Sequence, residues 1–379
     1  MKVIISIDSF KGSISSIKGS EAISSGVQEV YQDAEIISLP LADGGEGTVD
    51  ALVQSTGGQL IKTKVTGPTT EKVNAIYGVL GDQKTAVIEV ASACGLPLIS
   101  HAERDPLSTT TYGVGELISE AIGKGCKDFV VGLGGSATND AGVGMLQALG
   151  FSFEDRQGIE VGLGGKVLRD INKINTEHVN PILKDCTFKL ACDVNNLLYG
   201  QDGAAYVFGP QKGAAKKTVK ELDAGLKHFA KVVYESLGKD IHNIKGAGAA
   251  GGLGAAFSGF LNAQLQSGIE LVLDMIDMER HMHGADFVIT GEGKLDIQTA
   301  MGKVPIGVAK LAHRNEVPVI AMAGSVTADA SNLNELGVTS YFSIINTPMT
   351  FEEAMNTETT YNNLRLTTVQ LFRLIKSLE

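Results

Sequence analysis

The stretch at residues 130–150, VVGLGGSATNDAGVGMLQALG, constrains the fold of this chain more than any other. The apolar run at 129–131 predicts a buried strand, the glycines after it predict a turn, and the pattern from 143 onward predicts a helix. Strand, glycine-rich turn and helix in this order are typical of α/β proteins with a parallel sheet. The turn predicts an anion site, because free backbone N–H groups at a helix N-terminus can donate to a phosphate.

Two known phosphate-binding motifs can be compared with this turn. The P-loop pattern G-x-x-x-x-G-K-[ST] occurs nowhere in the chain. The dinucleotide pattern G-x-G-x-x-G/A matches at Gly132, Gly134 and Ala137, and Glu154 and Asp155 lie at about the distance of a ribose-binding acid. An NAD- or NADP-linked oxidoreductase of a small hydroxy acid is therefore one hypothesis.

Length, charge and cysteine content limit the class of protein. A chain of 379 residues predicts two domains. The net charge of −11 and the lack of Lys/Arg runs argue against a nucleic-acid or membrane surface, while a homo-oligomer stays possible in principle. The four cysteines show neither a C-x-x-C pair nor a zinc spacing, which predicts reduced thiols in a cytoplasmic protein. We expect no signal peptide and no membrane span.

Apolar runs and helical periodicities alternate along the chain, which predicts parallel strands connected by helices. The predicted strands are residues 3–7, 35–39, 129–131, 287–290, 317–321 and 341–345, and the predicted helices are 15–30, 113–123, 143–149, 306–315 and 351–377. The strand-like runs at 60–66, 73–80 and 85–90 follow one another with turns between them instead of helices, which indicates a second domain.

We therefore predict an α/β fold with two domains. The first is a Rossmann- or flavodoxin-like parallel sheet with helices on both faces, formed by residues 1–59, 110–150 and 284–379. The second is an inserted mixed α/β domain, formed by residues 60–109 and 151–283.

Polar turns follow the predicted strands. Ligands of open parallel sheets bind outside the carboxyl ends of the strands. Turns that mix glycine with hydroxyl and acidic residues lie at 8–13, 41–48, 132–140, 290–303 and 323–329. If all five lie on one sheet edge, they predict a site for a small phosphorylated ligand with a metal ion.

A series of short motifs runs along the whole chain. These are DSFKGS at 8–13, ADGGEGT at 42–48, RDPLSTT at 104–110, GLGGSATNDAG at 132–142, ACDV at 191–194, FGPQKGA at 208–214, GAGAAGGLGAA at 246–256, TGEG at 290–293 and GKVPIGVA at 302–309. In number and order they resemble the motifs of the bacterial glycerate kinase family.

The resemblance implies a two-domain α/β kinase that phosphorylates D-glycerate with ATP, and it favours 2-phosphoglycerate over 3-phosphoglycerate as the product. Departures from the family pattern are few: Lys294 stands where Arg is common, Thr299 replaces a Ser, Leu197 a Pro and Tyr112 an Arg.

A kinase of this kind needs a base, a metal and a group that orients the substrate. Asp296 and Asp193 both follow predicted strands, and the sequence leaves open which of them accepts the hydroxyl proton. Lys11 is the third catalytic candidate, placed on the substrate carboxylate. Glu292 and Asp193 are the candidate ligands of Mg²⁺, which prefers oxygen. A helix cap or a turn is the alternative role for these acids.

The other candidates bind the two substrates. Those for ATP are Gly134, Gly135, Ser136, Thr138, Asn139 and Lys303, and those for D-glycerate are Asp8, Ser9, Lys11, Asp43, Gly44, Gly45, Asn196 and Lys212. Alternative roles are N-capping of the next helix for the hydroxyl and amide residues, an acidic surface turn for Asp43, and solvated surface positions for the lysines. A non-catalytic metabolite-binding protein is a third functional hypothesis.

Overall fold

The structure is a computed structural model that describes residues 1–379. Its strands are β1 (Lys2–Ile7), β2 (Glu35–Ser38), β3 (Gln59–Thr66), β4 (Lys72–Val79), β5 (Thr85–Glu89), β6 (Asp128–Gly132), β7 (Ser152–Glu154), β8 (Lys173–Asn175), β9 (Thr187–Ala191), β10 (Gln264–Gln266), β11 (Phe287–Leu295), β12 (Val319–Val326) and β13 (Ser340–Ser343).

Its α-helices are α1 (Ser16–Val30), α2 (Thr48–Thr56), α3 (Ala91–Cys94), α4 (Tyr112–Gly123), α5 (Val143–Ala148), α6 (Ala204–Phe208), α7 (Lys216–Leu237), α8 (Leu253–Leu261), α9 (Gly268–Met275), α10 (Met278–Met282), α11 (Ile297–Ala300), α12 (Val304–Arg314), α13 (Asn332–Glu335), α14 (Phe351–Met355) and α15 (Thr357–Lys376). None of them combines the length and the apolar character needed to cross a bilayer.

Two compact units divide the chain. Unit 1 comprises Met1–Asp43, Asp50–Gly57 and Ile269–Glu379, whereas unit 2 comprises Gly44–Val49 and Gly58–Gly268. The first part of the chain therefore contributes to both units.

Unit 1 is built on a fully parallel sheet of five strands in the order β13-β12-β11-β1-β2. The apolar run of β1 supplies the buried core residues Val3, Ile5 and Ile7. Helix α1 buries one face, including Ile23 and Val27, and packs closely against α15. The alternation of strand and helix predicted from the sequence is confirmed for this unit.

Unit 2 contains a mixed sheet of six strands in the order β10-β9-β6-β5-β4-β3. The strand-like runs at 60–66, 73–80 and 85–90 form β3, β4 and β5, which pair antiparallel. Strands β5, β6, β9 and β10 are parallel. Aromatic packing fills the core, as in the stacked pair Phe129–Phe188 with ring centroids 4.8 Å apart.

The boundaries predicted for the two domains differ from those of the units. Residues 110–150 lie in unit 2, because β6 pairs on one side with β5 and on the other with β9. Five of the six predicted parallel strands lie in the sheet of unit 1, and the run at 129–131 is the exception. Residues 269–283, assigned from the sequence to the second domain, belong to unit 1.

Candidate active site

Three acidic residues lie at the carboxyl edge of the sheet of unit 1. Asp8 directly follows β1, Glu292 lies near the end of β11, and Asp43 comes after β2. Strand β1 lies between the other two, and the Asp8 N–H extends the β1–β11 pairing by donating to the Gly291 carbonyl at 2.8 Å. The sequence-based prediction that these turns share one edge is confirmed for unit 1, although the turn at 132–140 follows β6 of unit 2 instead.

Asp8 is the most deeply buried of these acids, with 4% of its surface exposed. Burial, and then the negative charge of Asp43, raises the pKa of Asp8 to about 7, although the Ser9 N–H donates to its Oδ1 at 2.6 Å and opposes the shift. Asp8 can therefore gain or lose a proton near neutral pH.

Lys11 is the cation closest to this carboxyl pair. Its Nζ lies 3.6 Å from Asp43 Oδ2, and its side chain is largely exposed. Partial burial opposes the charge, but the carboxylates of Asp43 and Asp8 outweigh it and raise the pKa of Lys11. The ammonium group therefore stays charged and can reach a ligand in solvent.

Glu292 is buried and has two partners. Its Oε1 accepts a hydrogen bond of 2.5 Å from the Thr299 hydroxyl, and its Oε2 lies 3.7 Å from Lys303 Nζ. Burial raises the pKa of Glu292, and the Thr299 hydrogen bond and the Lys303 charge oppose that shift. The hydroxyl that this chain keeps at position 299 therefore orients the Glu292 carboxylate.

Asp296 lies at the N-cap of α11. Its Oδ1 accepts from the Gln298 N–H at 2.9 Å, and its Oδ2 lies 3.1 Å from Lys294 Nζ. The hydrogen bond from Lys294 lowers the pKa of Asp296. Its carboxylate therefore acts as the helix cap that the sequence offers as an alternative, and it is a weak base.

One acid and one amide that were predicted to bind metal or substrate, Asp193 and Asn196, lie in unit 2. Asp193 Oδ1 accepts from the Gly268 N–H at 3.0 Å. Asn196 donates its Nδ2 hydrogen to the Asp202 carbonyl at 2.8 Å. Both side chains thus hold the backbone of loops that follow the parallel strands of unit 2.

The glycine-rich turn of unit 2 differs from its prediction. Strand β6 ends at Gly132, but α5 begins only at Val143 and is capped by Gly142 without a side-chain bond. Ser136, Thr138 and Asn139 are therefore not the N-cap of α5. Gly134 and Gly135 are exposed, and their N–H groups have no acceptor within the protein.

Lys212 lies against this turn with only 2% of its surface exposed, so a solvated surface position is excluded. Its Nζ donates to Ser136 Oγ at 2.9 Å and to the Thr138 carbonyl at 2.7 Å. Burial lowers the pKa of Lys212 to about 8, and the nearby Cys94 and Asp140 oppose the shift. The lysine fixes the shape of the turn.

Asp140 anchors the other end of the turn. It is fully buried, and its carboxylate accepts from the Thr111 N–H at 2.9 Å, the Thr111 hydroxyl at 2.8 Å and the Gly142 N–H at 3.1 Å. All these partners come from the chain itself. Asp140 therefore stabilises this end of the turn.

Sequence reasoning missed two contacts, one with the turn itself and one with the segment that carries Lys212. The Gly251 carbonyl accepts from the Ala141 N–H at 3.0 Å, and a Cβ at Gly251 would lie 2.0 Å from the Thr138 carbonyl oxygen. Arg104 donates to the Gln211 carbonyl, next to Lys212, at 3.4 Å. The only sequence signal for these contacts is that each residue falls within one of the short motifs.

Comparison with known proteins agrees with this architecture. A sequence profile described as the glycerate kinase family matches residues 3–376. The chain belongs to the glycerate kinase family. It is 48% identical to glycerate 2-kinase of Escherichia coli (strain K12) over 354 residues, 93% of each chain, and 46% identical to glycerate kinase of Bacillus subtilis (strain 168) over 354 residues, also 93% of each.

A solved structure supports the fold of this glycerate kinase family member. A crystal structure from Salmonella typhimurium LT2, assigned to a glycerate kinase 2, superposes with a TM-score of 0.92 at 44% identity. The match covers 100% of this chain and 98% of that one.

This glycerate kinase family member does not place an acidic residue where a dinucleotide site needs one to bind the ribose. Glu154, at the distance expected for a ribose-binding acid, lies on β7. That strand pairs antiparallel with β8 in a separate two-stranded sheet, whereas a Rossmann acid ends the second parallel strand. The dehydrogenase hypothesis therefore has no structural support.

The acidic residues also limit how a metal could be held. No three histidine, cysteine or acidic side chains converge on one point in residues 1–379. Magnesium commonly keeps several waters and uses one or two carboxylates together with the substrate phosphates. The carboxylate of Glu292 offers hard oxygen donors that fit an ion bound in that way.

Proposed function

We propose that this chain transfers the γ-phosphoryl group of ATP to D-glycerate and that the product is 2-phosphoglycerate. The family and its glycerate kinase relatives support the substrate, and the name of the Escherichia coli relative supports the 2-position. One observation carries the chemistry: a carboxyl group with a pKa of about 7 lies among acids and lysines at one sheet edge.

In this proposal Asp8 accepts the proton of the attacking hydroxyl. The O2 oxygen of glycerate forms a bond to the γ-phosphorus while the bond from phosphorus to the bridging oxygen breaks. The electron pair of that bond leaves with ADP, and the hydroxyl proton passes to Asp8. A base is most effective when its pKa lies near the working pH.

Asp296 and Asp193 are the competing bases. Lys294 lowers the basicity of Asp296, and the Gly268 N–H occupies one oxygen of Asp193. Each of the three acids is tested by its own Asn variant below.

The phosphates need positive charge and N–H donors. We assign Lys303 to the nucleotide, and we assign to it the turn residues Gly134, Gly135, Ser136, Thr138 and Asn139 as well. Bound magnesium would neutralise charge on the transferred group, and Glu292 and Asp193 are its proposed ligands. Lys212 donates to Ser136 and Thr138 of the same turn, and we therefore propose that it acts with the nucleotide group rather than with glycerate.

The remaining polar residues are assigned to glycerate. The exposed ammonium of Lys11 is proposed to bind the substrate carboxylate as a point charge. Asp8, Ser9, Asp43, Gly44, Gly45 and Asn196 complete the proposed set.

The deciding experiment measures ADP release from MgATP with and without D-glycerate. Glycerate-dependent release establishes the kinase, and direct use of the product by enolase places the phosphate on O2. Asp8→Asn should lower kcat by about 10²- to 10⁴-fold, whereas Asp296→Asn and Asp193→Asn should retain more activity. Oxidation of a hydroxy acid by NAD without ADP release would support the dehydrogenase, and binding without any turnover would support a metabolite-binding protein.

A further inference from the structure

Arg104 is an arginine of unit 2 without an acidic partner. None of the ion pairs in residues 1–379 involves it. Its Nε is buried without a hydrogen-bond partner, and its single bond, from Nη1 to the Gln211 carbonyl, is long at 3.4 Å. A guanidinium carries five N–H donors, so most of those of Arg104 are unused.

The segment that touches Arg104 also carries Lys212. A Cβ at Gly213 would lie 2.3 Å from the Arg104 carbonyl oxygen, so the two backbones are in close contact. Lys212 has only neutral hydrogen-bond partners, Ser136 Oγ and the Thr138 carbonyl. Lys212 therefore contacts the turn at 132–140 directly, and Arg104 contacts the residues on either side of Lys212.

Buried polar atoms of the turn are unsatisfied. Asn139 is fully buried, and neither its Oδ1 nor its Nδ2 has a partner. An unpaired buried polar group costs about 1–3 kcal/mol. A buried amide that leaves both of its polar atoms unpaired indicates a ligand that supplies the missing partners.

We propose that Arg104, Lys212 and Asn139 form an anion subsite that binds a phosphate group of the nucleotide. This assignment rests on the proposed function for the identity of the nucleotide. The donors left unused on Arg104, Asn139, Gly134 and Gly135 exceed what the two oxygens of one carboxylate accept, whereas phosphate groups offer more acceptors. The Asn139 Oδ1 accepts from a hydroxyl group, which a nucleotide also carries.

The test measures equilibrium binding of pyrophosphate, MgADP and D-glycerate by calorimetry. Arg104→Ala should weaken pyrophosphate and MgADP by about 10- to 100-fold, the cost of hydrogen bonds to a charged group. D-Glycerate binding should stay within about twofold. Arg104→Lys should recover only part of the loss, because an ammonium lacks the planar fork. The matched control is Arg156→Ala, an exposed arginine without an ion pair, which should change nothing.

Two results would overturn the subsite: pyrophosphate affinity that does not depend on Arg104, or a loss confined to D-glycerate, which would make it a carboxylate site. Arg104-dependent pyrophosphate binding without glycerate-dependent ADP release would refute the kinase but leave the anion subsite standing. The two proposals therefore fail separately.

A second variant covers the case in which Arg104→Ala does not fold. Asn139→Leu replaces the amide by an apolar group of similar shape, which removes the unsatisfied atoms. This variant should raise the unfolding temperature of the free protein and lower its affinity for MgADP. Unchanged MgADP affinity would show that the amide is not a ligand group.

Discussion

At the scale of single residues, burial decides which acid of the sheet edge can exchange a proton near neutral pH. Asp8 and Asp296 both follow strands of the same sheet. Asp8 is buried beside Asp43, which raises its pKa to about 7, whereas Lys294 lowers the pKa of the more exposed Asp296. The two acids are equivalent in the sequence but have opposite tendencies to bind a proton.

The pH dependence of the rate should follow Asp8. A base must be deprotonated to act, so kcat/KM of ADP release should rise with pH up to about 7 and then level off. Asp8→Asn should lower the rate and remove this limb. Asp296→Asn is the control and should keep the limb, because its carboxylate is ionised over the whole range. A limb that persists unchanged in Asp8→Asn would assign the titration to another group.

Ionisation of Asp8 should raise the reaction rate but lower the stability of the fold. The pKa of Asp8 is higher in the folded protein than the usual 3.8, so the folded state holds the proton more tightly. Ionisation therefore destabilises the fold as pH rises from about 4 to 7, and the cost is complete above that range. Asp8→Asn should raise the unfolding temperature at pH 8 and change it little at pH 4.

Asp240 provides a control of opposite direction for this measurement. The hydrogen bond from the Asn243 side chain lowers the pKa of Asp240, so its stabilising effect is present at pH 8 and lost as pH falls. Asp240→Asn should lower the unfolding temperature at pH 8. If both variants shifted it in the same direction, the assigned pKa of Asp8 would be wrong.

The location of Asp8, Asp43 and Glu292 at one sheet edge could be predicted from the sequence, because parallel strands place the residues that follow them at the same edge. Their proton affinities could not, since these depend on burial by segments far apart in the chain. The burial of Lys212 and the free donors of Arg104 were unpredictable for the same reason.

At the scale of elements, a local pattern specifies a strand but not its partner. The run at 129–131 forms β6 as predicted, yet it pairs with β5 and β9 of unit 2. Its apolar residues would suit a buried position in either sheet. The helix after it starts at Val143, because Asp140 and Lys212 hold the intervening turn in a non-helical shape.

Gly251 should be essential to that turn. Its φ is +69°, and a Cβ there would lie 2.0 Å from the Thr138 carbonyl oxygen. Gly238 has a similar φ of +67° but open space around it, so Gly238→Ala should cost only the left-handed strain of about 1–2 kcal/mol. Gly251→Ala should lower the free energy of unfolding, measured by chemical denaturation, by clearly more than this. It should also lower the affinity for MgADP. An equal loss of unfolding free energy in the two variants would show that the turn can accommodate a Cβ at position 251 by a small backbone shift.

At the scale of the whole molecule, the two units differ in how far apart in sequence their strands lie. The β6–β9 pair joins residues 59 apart, as in the Asp128–Thr187 pair. The β1–β11 pair joins residues 284 apart, as in the Val3–Phe287 pair. Closing the longer loop costs about 1.4 kcal/mol more.

Unit 2 should therefore gain its sheet first during refolding. Pulsed hydrogen exchange should protect amides of β6 and β9 before those of β1 and β11, because the longer loop slows the pairing in unit 1. Leu190 and Ile289 are suitable buried reporters. Simultaneous protection of both sheets would contradict this order.

The central position of β1 has a consequence for how the protein is made. This strand is synthesised about 280 residues before β11, one of its two neighbours in the sheet. At 5–20 residues per second the wait is roughly 14 to 56 seconds. Throughout that time the nascent chain carries one open strand edge with buried-type residues, which can pair with other chains. We therefore expect the yield of soluble protein to depend on translation speed and chaperone access.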